Sequence, residues 1–242
     1  MCRTMLVVVL YGKIYKDSLT LNSLMNKEFS NVDLMIVNYG PNPLEFDKDF
    51  IHTLGFYVRS IILKQFLDGR LVSFIFNSII DEYNEYERFI FFDDESYVGR
   101  KYLKNLDFYY RDHVDLQVPN IIGRGDGKVH FPIIDDSALK SNDGVEINAK
   151  KLLRSLGTGL VIYFSLVAKF KAINVEVFDS KFTLREVNCG FFERLGTLDL
   201  QSSEITIQIV NTLGHSLFRN DSPTNKSHAI ERILASLAST KI

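Results

Sequence analysis

The chain has 242 residues, 46% of them hydrophobic, with 19 Phe and 11 Tyr; this is enough apolar and aromatic mass for a large core and excludes intrinsic disorder. A formal net charge of −2, with no block rich in Lys or Arg, provides no field that would gather nucleic acid and excludes it as a main partner. Two cysteines, Cys2 and Cys189, cannot build a disulfide framework, so the expected compartment is a reducing cytoplasm.

The first ten residues are apolar, but Arg3 interrupts them and they are too short to span a bilayer, so they predict a core strand. No later stretch reaches the roughly eighteen uninterrupted apolar residues of a membrane span, which leaves peripheral contact as the only membrane association expected. Met5 to Leu10 is a continuous run rich in β-branched residues, the pattern of a parallel strand buried on both faces, and it exits through Tyr11-Gly12-Lys13. Asp17 or Ser18 can then cap a helix carrying Leu19, Leu21 and Leu24, and Val32 to Val37 predicts a second strand that closes a βαβ unit. That strand leaves through the turn-rich Asn38-Tyr39-Gly40-Pro41-Asn42-Pro43. Ligands of doubly wound sheets bind outside the carboxyl ends of such strands, which makes Tyr11, Asn38 and Tyr39 candidate nucleotide contacts, with ordinary loop residues as the alternative.

Leu71 to Tyr83 shows helical spacing of Val72, Ile75, Phe76, Ile79 and Ile80, with Ser73 and Asn77 four apart on one face. That polar pair requires partners, either a ligand or hydrogen bonds from helix to loop. The helix leads into Arg88-Phe89-Ile90-Phe91-Phe92, an apolar strand that stops on Asp93-Asp94-Glu95. Three consecutive carboxylates at a strand exit either repel one another in an acidic turn or share a cation.

Further on, Leu116 to Ile122 and Lys128 to Pro132 predict two short strands joined by the glycine-rich turn 123–127, whose glycines lack dinucleotide-binding spacing. Residues 134 to 150 are polar and weakly patterned and predict a surface loop. Gly157 and Gly159 imply a close approach to a neighbouring strand or to a bound sugar. A late strand is expected over Ile205 to Val210 and a short C-terminal helix from about Lys226, within one domain spanning 1–242.

The order of these pieces resembles the family 2 glycosyltransferases of the GT-A fold, of the type that builds bacterial surface polysaccharides such as O-antigen and capsule. The resemblance rests on Val7-Val8-Val9-Leu10-Tyr11, on Ser73 to Asn77, on Asp93-Asp94-Glu95-Ser96 at the D-x-D position, on Val118-Pro119-Asn120-Ile121, on Gly157-Thr158-Gly159-Leu160, on Phe178-Asp179 to Arg194, and on His215-Ser216-Leu217. It implies an α/β fold with a mixed, mainly parallel, Rossmann-like sheet flanked by helices. It also implies an inverting transfer of a sugar from a nucleoside diphosphate sugar, of UDP or dTDP type, to a saccharide or lipid-linked acceptor, with work at the cytoplasmic face of the membrane. A non-catalytic nucleotide-sugar-binding subunit of the same pathway is the alternative.

Carried over by position, the resemblance gives a donor site of Leu10, Tyr11, Asn38, Ser73, Asn77, Asp93, Asp94 and Gly159. It gives a metal site for Mn²⁺ or Mg²⁺ at Asp93, Glu95 and His215, where hard oxygen ligands would hold the ion against the diphosphate. Glu95 stands where the family usually has Asp. Relatives commonly carry an Asp as general base where this chain has Asn188 and Gly190, neither of which can accept a proton at neutral pH. Glu186 is the substitute candidate, against the alternative of an ion pair with Arg185 or Arg194, and Glu193 is the second candidate.

Overall fold

The computed structural model describes residues 2–135, 137–149, 153–180, 190–196, 198 and 204–216. Its strands are β1 (Thr4–Leu10), β2 (Asp33–Asn38), β3 (Ser60–Gln65), β4 (Arg88–Phe92), β5 (Ser96–Tyr97), β6 (Leu116–Gly123), β7 (Val129–Phe131), β8 (Ile133–Ile134), β9 (Ser137–Ala138), β10 (Val145–Asn148), β11 (Leu153–Arg154), β12 (Leu160–Tyr163) and β13 (Thr206–His215). The helices are α1 (Leu19–Ser23), α2 (Lys48–Gly55), α3 (Val72–Glu82), α4 (Tyr102–Tyr109) and α5 (Phe164–Ala172), and residues 190–196 are also helical.

One large mixed sheet runs β10-β13-β6-β12-β4-β1-β2-β3, with β5 on β13 and β7 on β6. The half made of β4, β1, β2 and β3 is parallel throughout. β12 joins it antiparallel to β4 and links it to the parallel pair of β6 and β13. β1 explains why the pattern worked: Met5, Val7 and Val9 enter one apolar cluster, while Leu6, Val8 and Leu10 enter another. Alternate side chains point to opposite faces, so an unbroken apolar run means that both faces are covered. The first cluster takes in α3 and α5, and the second takes in side chains of α1, α2 and α4. β4 divides in the same way, with Phe89 and Phe91 on one face and Ile90 and Phe92 on the other. Burial of each such ring contributes roughly 2–3 kcal/mol.

Ser18 caps α1 as expected, its Oγ accepting a hydrogen bond from Leu21 N at 3.1 Å. The glycine-rich turn joins β6 to the antiparallel β7, as the sequence predicts. The stretch 134–150 differs from the expected loop. β8 pairs with β9 and β11 in a separate three-stranded sheet, and β10 pairs antiparallel with β13. Each of these strands is only two to four residues long, too short for a periodicity to announce it; β8 and β9 pair across residues 135–136, while β10 and β11 find partners farther away in the chain. The helix expected from about Lys226 lies outside the described residues.

A candidate active site at the strand-order reversal

The chain runs outward from β1 to β2 to β3 and then returns to place β4 on the other side of β1. The loops leaving the carboxyl ends of β1 and β4 therefore part in opposite directions, and such a switch point opens the crevice in which ligands of open α/β sheets bind. Tyr11-Gly12-Lys13 emerges from β1 and Asp93-Asp94-Glu95 from β4, so the acidic exit picked out from the sequence lines this crevice.

Two glycines let the β1 and β2 loops meet. Gly12 has φ +65°, and a Cβ on Gly40 would stand 2.8 Å from Gly12 N. The loops are also joined by Tyr39 N donating to the Leu10 carbonyl at 3.2 Å and by the Tyr11 and Tyr39 rings, whose centroids are 5.0 Å apart. Asn38 holds this turn together: its Nδ2 donates to Asn42 O at 2.8 Å and Gln65 Oε1 at 3.1 Å, and its Oδ1 accepts from Gly40 N at 3.0 Å.

Asp93 is fixed from several directions. Its Oδ1 accepts from Glu95 N at 3.1 Å, Ser96 Oγ at 2.9 Å and Thr158 Oγ1 at 3.1 Å. Thr158 arrives there because β12 runs antiparallel to β4 with Leu160 opposite Phe91, which carries the residues before Leu160 past the end of β4. His215 arrives because β13 pairs with β5, setting His215 opposite Ser96, and its Nε2 lies 2.6 Å from Asp93 Oδ2. Burial pushes the Asp93 carboxyl up, but the His215 charge and the hydrogen bonds from His215, Ser96 and Glu95 N outweigh it and leave the pKa at about 2. His215 shows the reciprocal effect: burial favours its neutral form, yet Asp93, with Glu95 and Asp94 beyond it, raises its pKa. Its buried Nδ1 has no hydrogen-bond partner among the described residues.

Asp94 and Glu95 turn to a different cation. Lys13 Nζ lies 3.0 Å from Asp94 Oδ2 and 2.8 Å from Glu95 Oε1. All three side chains are largely enclosed, with exposures of 13% for Lys13, 15% for Asp94 and 20% for Glu95. Burial raises the Asp94 pKa to about 6, with Asp93 and Glu95 adding like-charge repulsion and Lys13 opposing it. Lys13 is visible in the sequence as part of the β1 exit, but its partner Glu95 is 82 positions away, with Asp94 beside it, and no local pattern points to either.

The expected ligand set of Asp93, Glu95 and His215 is therefore divided, with Asp93 and His215 paired to each other and Glu95 facing Lys13. Among the described residues no three His, Cys, Asp or Glu side chains converge on one point. The donor chemistry nevertheless suits a hard divalent ion, because Asp94 and Glu95 offer carboxylate oxygens side by side at the end of β4. Mg²⁺-type ions are usually held by one or two carboxylates, with substrate phosphates and water completing the shell.

The remaining candidates lie as follows. Leu10 is buried in the second apolar cluster. Ser73 is buried on α3, and Asn77 of the same helix clamps Phe178 by donating to its carbonyl at 2.8 Å and accepting from its N–H at 3.0 Å. These are the helix-to-loop partners that the sequence left as one alternative for Asn77. Gly159 has φ +69°, and a Cβ there would stand 2.5 Å from Leu213 Cδ1 and 2.9 Å from Pro119 Cγ, so the close approach is to β13 and β6. Glu193 is exposed in the helical segment 190–196, while Glu186 and Asn188 lie outside the described residues.

No protein-family model and no curated protein sequence matches the chain. Solved structures do match in fold. The complex of S. aureus TarS 1–349 with UDP-GlcNAc superposes with a TM-score of 0.62 at 12% identity, covering 98% of this chain and 66% of that one. A longer TarS structure gives 0.59 at 15% identity, covering 86% of this chain and 35% of that one. GalNAc-T7 with UDP, GalNAc and Mn²⁺ gives 0.56 at 11% identity, covering 95% of this chain and 47% of that one. The chain thus spans about a third to two thirds of the length of these structures. Its mixed, mainly parallel sheet with flanking helices is similar in fold to the GT-A glycosyltransferases.

Proposed function

We propose that the chain transfers a glycosyl group from a nucleoside diphosphate sugar of UDP or dTDP type to a saccharide acceptor. The observation that carries this reading is the crevice at the strand-order reversal, where carboxylates from β4 meet a lysine from β1 and a histidine from β13. Tyr11 and the adjoining β1 and β2 loops supply the wall beside which a nucleotide would lie. Asp93, locked by Thr158, Ser96 and His215, supplies a rigid acceptor for a ribose or sugar hydroxyl. The bound forms of TarS and GalNAc-T7, with UDP-GlcNAc and with UDP and Mn²⁺, support the choice of donor and of ion. Mn²⁺ or Mg²⁺, held by Asp94 and Glu95 with Asp93 beside them, would neutralise the leaving diphosphate.

The transfer proceeds with inversion. An acceptor hydroxyl oxygen bonds to the anomeric carbon, the bond from that carbon to the diphosphate oxygen breaks with its electron pair leaving on the diphosphate, and a carboxylate base takes the hydroxyl proton. Glu186 and Glu193 are the candidates for that base. The acceptor is a lipid-linked saccharide of surface-polysaccharide assembly, met at the cytoplasmic face of the membrane. Contact there would be peripheral; among the described residues no helix is long and apolar enough to cross a membrane.

The test is release of free nucleoside diphosphate from a panel of nucleotide sugars, with Mn²⁺ or Mg²⁺ and with or without saccharide acceptors. Release from one donor, lost in Asp93→Ala, supports the proposal. Donor binding without turnover on any acceptor would instead support the non-catalytic subunit, and absence of binding across the panel would refute both.

A further inference from the structure

The cation at the centre of the crevice is supplied by the chain itself. Lys13 follows directly on Gly12, whose left-handed backbone packs against Gly40, and from this β1 exit its ammonium contacts Asp94 and Glu95. An ammonium 2.8–3.0 Å from two carboxylate oxygens stands where a divalent ion bridging those same two oxygens would sit. Divalent ions sit about 2.0–2.2 Å from such ligands, so both cations on one oxygen pair would stand within a few ångströms of each other and repel strongly in an enclosed site.

We propose that Lys13 is the resident cation of this crevice and competes with the divalent ion for Asp94 and Glu95, so that the ion enters only as the ammonium leaves. The displaced ammonium remains on the β1 loop beside the crevice, where its three N–H donors can meet the oxygens of an anionic ligand. Ion entry and anion recognition are coupled through one side chain. The inference rests on the reading of the crevice as a donor site, but its central claim concerns the ion and is tested without nucleotide.

The measurement is Mn²⁺ binding, followed by the electron paramagnetic resonance signal of the free ion, to nucleotide-free wild type, Lys13→Met, Lys13→Arg and the double variant Lys13→Met/Glu95→Gln. Removal of the competitor should tighten Mn²⁺ binding at least tenfold in Lys13→Met. Lys13→Arg should stay near wild type, and the double variant should lose the gain. Equal affinities in wild type and Lys13→Met, including failure of both to bind, would overturn the proposal. Circular dichroism establishes that the variants are folded, and Lys13→Gln supplies the same comparison if Lys13→Met is not. A separate calorimetric titration of wild type with UDP and Mn²⁺ distinguishes the two levels. No UDP binding there would remove the donor reading while leaving the Mn²⁺ competition to stand or fall on its own result.

Discussion

Replacing Gly159 by alanine separates a backbone role from a ligand role at a position where the sequence alone allows both. Gly159 has φ +69°, and an alanine there incurs the left-handed penalty of about 1–2 kcal/mol. Its Cβ would also stand 2.5 Å from Leu213 Cδ1, 2.9 Å from Pro119 Cγ and 3.4 Å from the Tyr102 hydroxyl. Leu213 is fully buried, so relief requires a shift within the packed core at a further cost of about 1–3 kcal/mol. The sum is about 2–5 kcal/mol, or roughly 4–20 °C in Tm for a chain of this size. Gly127 provides the control: its φ is +66°, but a Cβ there meets nothing within 4 Å, so Gly127→Ala carries the strain without the clash. Urea denaturation of the two variants should show Gly159→Ala less stable than Gly127→Ala by at least about 1 kcal/mol. Equal stabilities would refute the packing argument, and wild-type stability combined with lost UDP binding would make Gly159 a ligand contact after all.

Two further variants test what the other buried polar groups do. Asn77→Ala removes both hydrogen bonds that tie α3 to Phe178, and it should cost about 2–3 kcal/mol in urea denaturation while leaving the UDP affinity of the folded protein unchanged; a loss of affinity without a loss of stability would return Asn77 to the donor site. Asp33 accepts hydrogen bonds from Arg59, from Ser60 Oγ at 2.5 Å and from the Tyr86 hydroxyl at 2.6 Å, and these hold its pKa far below the ordinary 3.8, with the Arg59 bond the largest cause. Because the folded state depresses this pKa, the stabilisation is complete above the unfolded value near 3.8 and is lost as the pH falls through the folded one. Asp33→Asn should therefore be less stable than wild type at pH 7, with the difference narrowing on titration below pH of about 4; a constant difference would show that the carboxylate charge is not what matters.

The parts of the fold legible in the sequence are those whose evidence is local. β1 and β4 announced themselves by unbroken apolar runs because both of their faces are covered, and α1 by the Ser18 cap. The short strands β8 to β11 were not legible, since two to four residues carry no periodicity, and β10 and β11 exist only through partners supplied by distant segments. The site shows the same division. Asp93, Asp94 and Glu95 are adjacent in the chain and drew notice by their crowding, whereas Thr158 lies 65 positions from Asp93 and reaches it only through the antiparallel register of β12. His215, 122 positions from Asp93, was brought in by a family resemblance that the register of β13 against β5 converts into contact. The resemblance assigned His215 to a metal alongside Glu95, and it could not foresee that Lys13 holds Glu95 instead.

The enclosure of its three side chains sets the acidic exit of β4 apart from a solvated turn. A solvated acidic turn would point its carboxylates at water, which screens their repulsion at little cost. Here Asp93, Asp94 and Glu95 are 23%, 15% and 20% exposed, and burial opposes ionisation of Asp93 and Asp94. Such a cluster needs partners, and the chain brings them from both directions, the Lys13 ammonium from the loop after its first strand and the His215 ring, its pKa raised by Asp93, from its last described strand. A structural acidic turn could recruit one such partner anywhere on the surface. Here two partners converge on the sheet edge where the strand order reverses, the position at which open α/β sheets form a crevice.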